Sequence, residues 1–204
     1  MDFVFIIIIL IMSVVVHETA HGYAALALGD PTAKHQGRLT LNPLNHLDPM
    51  GSIILPGLMV LFNTGFIIGW AKPVPFNPYN LRNQRWGEAI VAAAGPLSNI
   101  ALAIIFGLFI QFSLLYGLLS QASLALVSQV VFINLLLAIF NLIPIPPLDG
   151  SKILFAFLPY RFQNFRANLE RFGLVLVLLF VFVFWRLISP IIFYFFSLLT
   201  GVAF

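Results

Sequence analysis

The sequence predicts an all-α polytopic membrane protein: a bundle of about four to six transmembrane helices, with a re-entrant or short extended segment near its most polar residues. Three observations predict it. Hydrophobic residues make up 61% of the 204 residues and charged residues 8%, against roughly 25% charged in an ordinary soluble domain. Apolar runs recur, beginning with Phe3 to Leu28, and about 20 such residues suffice to cross a bilayer. Between the runs stand breaks that no helix continues through, at Gly29-Asp30-Pro31 and at Pro144, Pro146 and Pro147. The chain therefore reads as a single membrane domain over 1–204, with its core at about 3–158 and C-terminal hydrophobic helices at 172–204.

Composition also narrows the function. The net charge of +3 is small and its basic residues are scattered through loops, so it bears on membrane orientation and offers no phosphate-tracking patch for nucleic acid. There is no cysteine, so any metal has to be held by histidine and carboxylate. The N-terminal run lacks a basic leader and begins with Asp2; it does not read as a cleaved signal peptide.

That first run carries Val-Val-Val-His17-Glu18-Thr-Ala-His21-Gly-Tyr. On a helix, two histidines four apart share a face, close enough for both imidazoles to reach one zinc ion, while Glu18 beside them can hold a water there. An HExxH match fixes only three positions and is often ordinary helix surface. Here that reading is weak, because each ionisable residue in the hydrocarbon region costs roughly 2.5–3.5 kcal/mol on insertion scales. At 1.5 Å per residue, His21 lies about 10 Å inside the Leu28 end and His17 about 16 Å. Ser13, Ala20, Ala24 and Ala27 recur near the histidines and permit close approach by another helix.

The chain then runs through a polar, turn-rich stretch from Gly29 to Pro49, in which His35 reads as a solvated loop residue. His46 stands where an apolar stretch resumes and is a weaker candidate for a place near the site. Met50 to Trp70 contains Gly51, Pro56, Gly57, Gly65 and Gly69 and reads either as a second span or as a re-entrant segment. Loop charge favours re-entry. A full crossing would put Lys34 and Arg38 on the opposite side from Lys72, Arg82 and Arg85, against the cytoplasmic excess of basic residues. Ala71 to Pro78 carries Pro73, Pro75 and Pro78 and is predicted to be extended, either as a rigid connector or as an edge beside a substrate strand.

A long helix is predicted over Glu88 to Leu119. Gly95, Asn99, Ala103 and Gly107 fall four apart on it, a tight contact stripe with Asn99 turned inward, and Pro96 bends it. After a turn near Ser120 to Ser123, another helix runs to Ile143 and breaks at the prolines. Backbone groups freed at that depth are tolerated only inside protein or beside water, and can pair with an extended peptide as an added strand. Asp149 follows, the carboxylate that a two-histidine site lacks. Ser151 to Arg171 is basic and interfacial, hence cytoplasmic. Phe172 to Phe204 is apolar apart from Arg186, long for one span and short for two.

Together, His17-Glu18-Thr-Ala-His21, Gly95-Pro-Leu-Ser-Asn99 and Asn141-Leu-Ile-Pro-Ile-Pro-Pro-Leu-Asp149-Gly150 resemble the site-2 protease family of intramembrane zinc metalloproteases. The resemblance covers Phe3 to about Leu158. It implies one zinc ion per chain held by His17, His21 and Asp149, Glu18 as catalytic base, and Asn141 holding the substrate strand. It further implies a small form without a PDZ or nucleotide-sensing domain, resident in the lipid bilayer of a prokaryotic cell membrane, acting on transmembrane proteins or peptides. Charge orients it with the short N-terminus outside and the acid-base residues toward the cytoplasmic face. Two rival readings use the same residues. A metal-ion transporter needs further polar residues across the whole membrane, and the outer halves of the spans offer few. A non-catalytic zinc-binding chaperone has no need of Glu18.

Overall fold

The computed structural model describes residues 2–54, 58–59, 61–62 and 71–202. Among them all regular structure is helical, and three helices are long and apolar enough to cross a membrane. Helix α1, Asp2–Ala27, ends where Gly29 takes a positive φ of 107°, a conformation that a side chain resists. A short helix α2, Thr32–His35, follows. Helices α3, Gly87–Tyr116, and α4, Gln121–Asn141, form an antiparallel pair. Their turn is chemically specified: Gly117 closes α3 in the left-handed region and the Ser120 hydroxyl accepts from the Ser123 N–H at the start of α4. Beyond the prolines come α5, Asp149–Phe157, and α6, Gln163–Thr200.

Helix α3 is the centre of the bundle, packing against α1, α4, α5 and α6. The predicted stripe explains why: Gly95, Asn99, Ala103 and Gly107 are all buried. At Gly107 a Cβ would come within 2.8 Å of the Leu199 carbonyl oxygen, so α3 and α6 approach backbone to backbone. Near Gly107 the bundle holds an apolar cluster. Ala103, Ile110, Val131, Leu135, Ile192 and Phe196 pack there from α3, α4 and α6.

The C-terminal region differs in form from a separate interfacial segment followed by hydrophobic helices. Residues 163–200 make one continuous helix of 38 residues, about 57 Å long. Its N-terminal part is held against the proline break: at Gly173 a Cβ would lie 2.4 Å from the Pro146 carbonyl oxygen. Close contact thus explains a glycine that would otherwise weaken the helix.

Residues 55–57, 60 and 63–70 of the predicted re-entrant stretch lie outside the described residues. Its flanks do not. The Lys72 N–H donates to the His46 carbonyl at 2.8 Å, and the buried Arg38 guanidinium donates to the carbonyls of Asn45, Lys72 and Pro73. The chain therefore returns beside the point where it left. Residues 71–77 have no helix, as their prolines require.

Candidate metal centre

Helix periodicity sets His17 and His21 on one face of α1, one turn apart. That face meets α3 at Gly95, where a Cβ would fall 2.4 Å from His21 Nε2 and 2.6 Å from His17 Cε1. Only a hydrogen fits there, so Gly95 makes the space in which the two imidazoles stand. Asp149 arrives from the other side as the first residue of α5. The turn from α4 is tight enough that a Cβ on Gly150 would lie 2.2 Å from the Leu142 carbonyl oxygen.

The three polar atoms converge. His17 Nε2 lies 3.0 Å from His21 Nε2, and Asp149 Oδ2 lies 3.1 Å from the first and 3.2 Å from the second. All three residues are buried. The outer nitrogens are separately held: His17 Nδ1 donates to Asn99 Oδ1 at 2.6 Å and His21 Nδ1 to the Val91 carbonyl at 2.7 Å. A carbonyl only accepts, so Nδ1 of His21 carries a proton, and in the neutral ring its Nε2 carries a lone pair. Two lone pairs and a carboxylate oxygen facing one another are mutually repulsive unless a cation lies among them. Zinc fits this donor set: with bonds of about 2.0–2.1 Å and tetrahedral angles, neighbouring ligand atoms stand about 3.3 Å apart. Nδ1 hydrogen bonds of this kind fix the ring orientation and tautomer of metal-binding histidines.

Glu18 is half-buried and does not join this triangle. Its Oε2 accepts from the Val74 N–H at 2.8 Å, so the extended 71–77 strap is tied to the residue beside His17. Lys152, one turn into α5, places its ammonium 4.0 Å from Asp149 Oδ1 and 5.4 Å from the centre of the Phe76 ring on the same strap. The strap thus borders the centre on two sides.

Other residues singled out in the sequence fall elsewhere. Asn141 donates to the Leu137 carbonyl of its own helix at 2.9 Å. His46 is fully buried and its Nε2 bonds the Thr40 carbonyl at 2.9 Å, so it organises the loop and is outside the metal-ligand group. Asn134 carried no motif yet is fully buried beside the site and bonded to Asn99. A lone amide in an apolar span was the available signal. In the sequence Asp30 is part of a helix break; in the structure its buried carboxylate knits that break to residues 77–80. Burial pushes its pKa up, but donors from Thr32, Asn80 and Asn77 outweigh it and hold the carboxyl below its ordinary value.

Known proteins carry the same pattern. A model of peptidase family M50 matches residues 117–183. YwhC of Bacillus subtilis, named as a candidate zinc metalloprotease, is 38% identical over 179 residues, covering 85% of this chain and 78% of that one. Rip2 of Mycobacterium tuberculosis strain H37Rv, named likewise, is 32% identical over 176 residues, 86% of this chain and 66% of its own. This chain thus spans slightly under two thirds of Rip2. The archaeal MJ0611 of Methanocaldococcus jannaschii, also named as a candidate zinc metalloprotease, is 43% identical over 70 residues. No solved structure matches. With a buried two-histidine, one-aspartate cluster set among apolar helices and a relative this similar over most of both chains, the chain belongs to peptidase family M50, the site-2 protease family of zinc metalloproteases.

Proposed function

We propose that this protein is an intramembrane protease that hydrolyses peptide bonds within or near transmembrane segments of membrane proteins. In this reading His17, His21 and Asp149 are the zinc ligands, Glu18 is the general base, and residues 1–204 act as one domain. One observation carries it: the three ligand atoms stand 3.0–3.2 Å apart on helices whose outer faces are apolar. Zinc bound there would polarise the scissile carbonyl and bring the pKa of water toward about 7.

The chain's own residues do the remainder. Glu18, anchored through Oε2 to the strap, takes the proton of the attacking water at Oε1 and returns it to the leaving amine. A helical substrate hides its carbonyls in its own hydrogen bonds, so it has to unwind before attack. The 71–77 strap and the break after Asn141 offer backbone groups to the unwound segment. Asn141, half-buried at the mouth of that break, turns from the Leu137 carbonyl toward the substrate backbone. Lys34, Arg38, Lys72, Arg82, Arg85 and the basic residues of 152–171 belong to the same end of the bundle, which orients the site toward the cytoplasm of a prokaryotic cell membrane.

The test is Glu18→Gln, incubated with a panel of transmembrane peptides. Cleavage should fall by about 10²- to 10⁴-fold, the range typical of a positioned general base, while bound zinc is retained. Undiminished cleavage removes Glu18 from the role of base.

A further inference from the structure

Behind His17, away from Asp149, runs a chain of buried amides that the hydrolytic reading does not use. Asn99 on α3 and Asn134 on α4 are both fully buried, and Ser13 on α1 nearly so. Asn134 Nδ2 donates to the Val130 carbonyl at 2.9 Å and to the Ser13 hydroxyl at 2.9 Å. Asn134 Oδ1 accepts from Asn99 Nδ2 at 2.8 Å, and Asn99 Nδ2 also donates to the Ser13 carbonyl at 3.2 Å. Asn99 Oδ1 then faces His17 Nδ1 at 2.6 Å.

The direction of this chain is set at both amides, because Asn134 Nδ2 faces the Val130 carbonyl and Asn99 Nδ2 faces the Ser13 carbonyl, and a carbonyl can only accept. Were Asn134 turned over, its oxygen would oppose the Val130 carbonyl oxygen and its NH₂ would oppose the NH₂ of Asn99. With Asn134 fixed and accepting at 2.8 Å, and the Ser13 carbonyl accepting at a longer 3.2 Å, Asn99 has to present its oxygen to His17. His17 must therefore carry its proton on Nδ1 and its lone pair on Nε2, toward Asp149 and His21. Inside a membrane no water is at hand to substitute for a missing partner, so a broken link leaves a buried group unsatisfied.

We propose that Asn134 is a positioning residue for the metal centre: through Asn99, and together with the Ser13 carbonyl, it holds the tautomer and ring orientation in which His17 meets the metal. The inference rests on His17 being a ligand, as proposed above. The two amides also join three helices at the depth of the site, so α1, α3 and α4 are held in the one arrangement that serves His17.

The experiment uses the full chain in detergent, stripped with chelator and titrated with zinc against a competing indicator. The same preparations are titrated with Co²⁺ and followed by visible absorption. Asn134→Leu, close in size but without polar atoms, should weaken zinc by about 10-fold, the lower end of the 10- to 100-fold range for outer-shell partners, and shift the cobalt bands. Asn99→Leu should do both to a greater degree. Asn134→Asp, which burial among apolar helices keeps protonated, can donate its O–H to the Val130 carbonyl and accept from Asn99 with its other oxygen, and should restore affinity and spectrum nearly to native. Ser13→Ala, which leaves the Val130 anchor intact, should change little. Melting of the metal-free variants separates packing loss from metal effects. If Asn134→Leu binds zinc and cobalt as the native chain does while Asn99→Leu does not, or if Asn134→Asp is as impaired as Asn134→Leu, the relay is overturned. Should His17→Ala bind zinc with native affinity, the ligand assignment fails instead.

Discussion

Two buried aspartates in this molecule live in opposite surroundings. Asp30, with no exposed surface, is ringed by donors: the Thr32 hydroxyl at 2.5 Å, the Thr32 N–H at 3.2 Å, the Asn80 amide at 2.8 Å and the Asn77 N–H at 2.6 Å. Asp149, 8% exposed, faces two imidazole nitrogens whose own protons are committed to Asn99 and Val91, with a lysine ammonium at 4.0 Å beyond. The first carboxylate is satisfied by its neighbours and serves as a strut between the end of α1 and the 77–80 turn. The second has its Oδ2 facing two acceptors, with the lysine only at the limit of ion-pair range of its other oxygen, so Oδ2 calls for a cation. A buried charge is tolerated only when paired or bound, so the partner set, not the burial, separates the structural acid from the proposed metal ligand.

The sharpest way to break that contrast is Asp149→Ala. It should abolish cleavage and weaken zinc by more than the 100-fold that loss of an outer-shell partner can cost, as read by metal content after dialysis. Retained zinc would remove Asp149 from the ligand set. A smaller effect is expected from Gly95→Ala, whose new methyl would fall 2.4 Å from His21 Nε2. The imidazoles have to move, and zinc affinity should drop by about 10- to 100-fold with the helices still assembled. Native affinity in that variant would mean that the histidines do not stand against α3.

Asp30→Asn should have the smallest effect on the metal and a distinct pH signature. The Asp30 carboxyl is held below its ordinary value, so its stabilisation is fully present above the unfolded-state pKa of about 3.9 and fades as pH falls through the lower folded value. At neutral pH the variant should lose about 1.5–3 kcal/mol, the usual worth of hydrogen bonds to a charged group, with zinc affinity unchanged. Melting temperatures of the two proteins should differ equally at pH 7 and pH 5 and converge below about pH 4. A difference that persists in acid would show that the hydrogen bonds do not depend on charge.

Much of the site was legible because its physics is local or costly. His17 and His21 announced themselves by helical spacing, and Asp149 by its place beyond a proline break that membrane depth would otherwise forbid. The small-residue stripe on α3 foretold a close helix contact and an inward Asn99. What escaped was everything set by packing between distant segments. Nothing in the sequence ties Val74 to Glu18, and nothing aims Asn134 at Asn99 in preference to lipid or another helix. Gly95 read as part of a contact stripe, while its specific task is to leave room for two imidazoles. The single long α6 was equally hidden, since the Gly173 that would weaken it is explained only by the Pro146 carbonyl lying against it.

The sequence by itself determined that this chain is a helical membrane protein with two histidines and a glutamate on its first span, because hydrophobicity and helical period are properties of neighbouring residues. It also supplied an aspartate at a forced break. Tertiary structure alone decided that the aspartate meets both histidines within 3.2 Å, which ring nitrogen each histidine offers, and what stands behind them. Those outcomes depend on how helices far apart in the chain dock, and in lipid that docking is set by close packing and by hydrogen bonds that have no water to replace them.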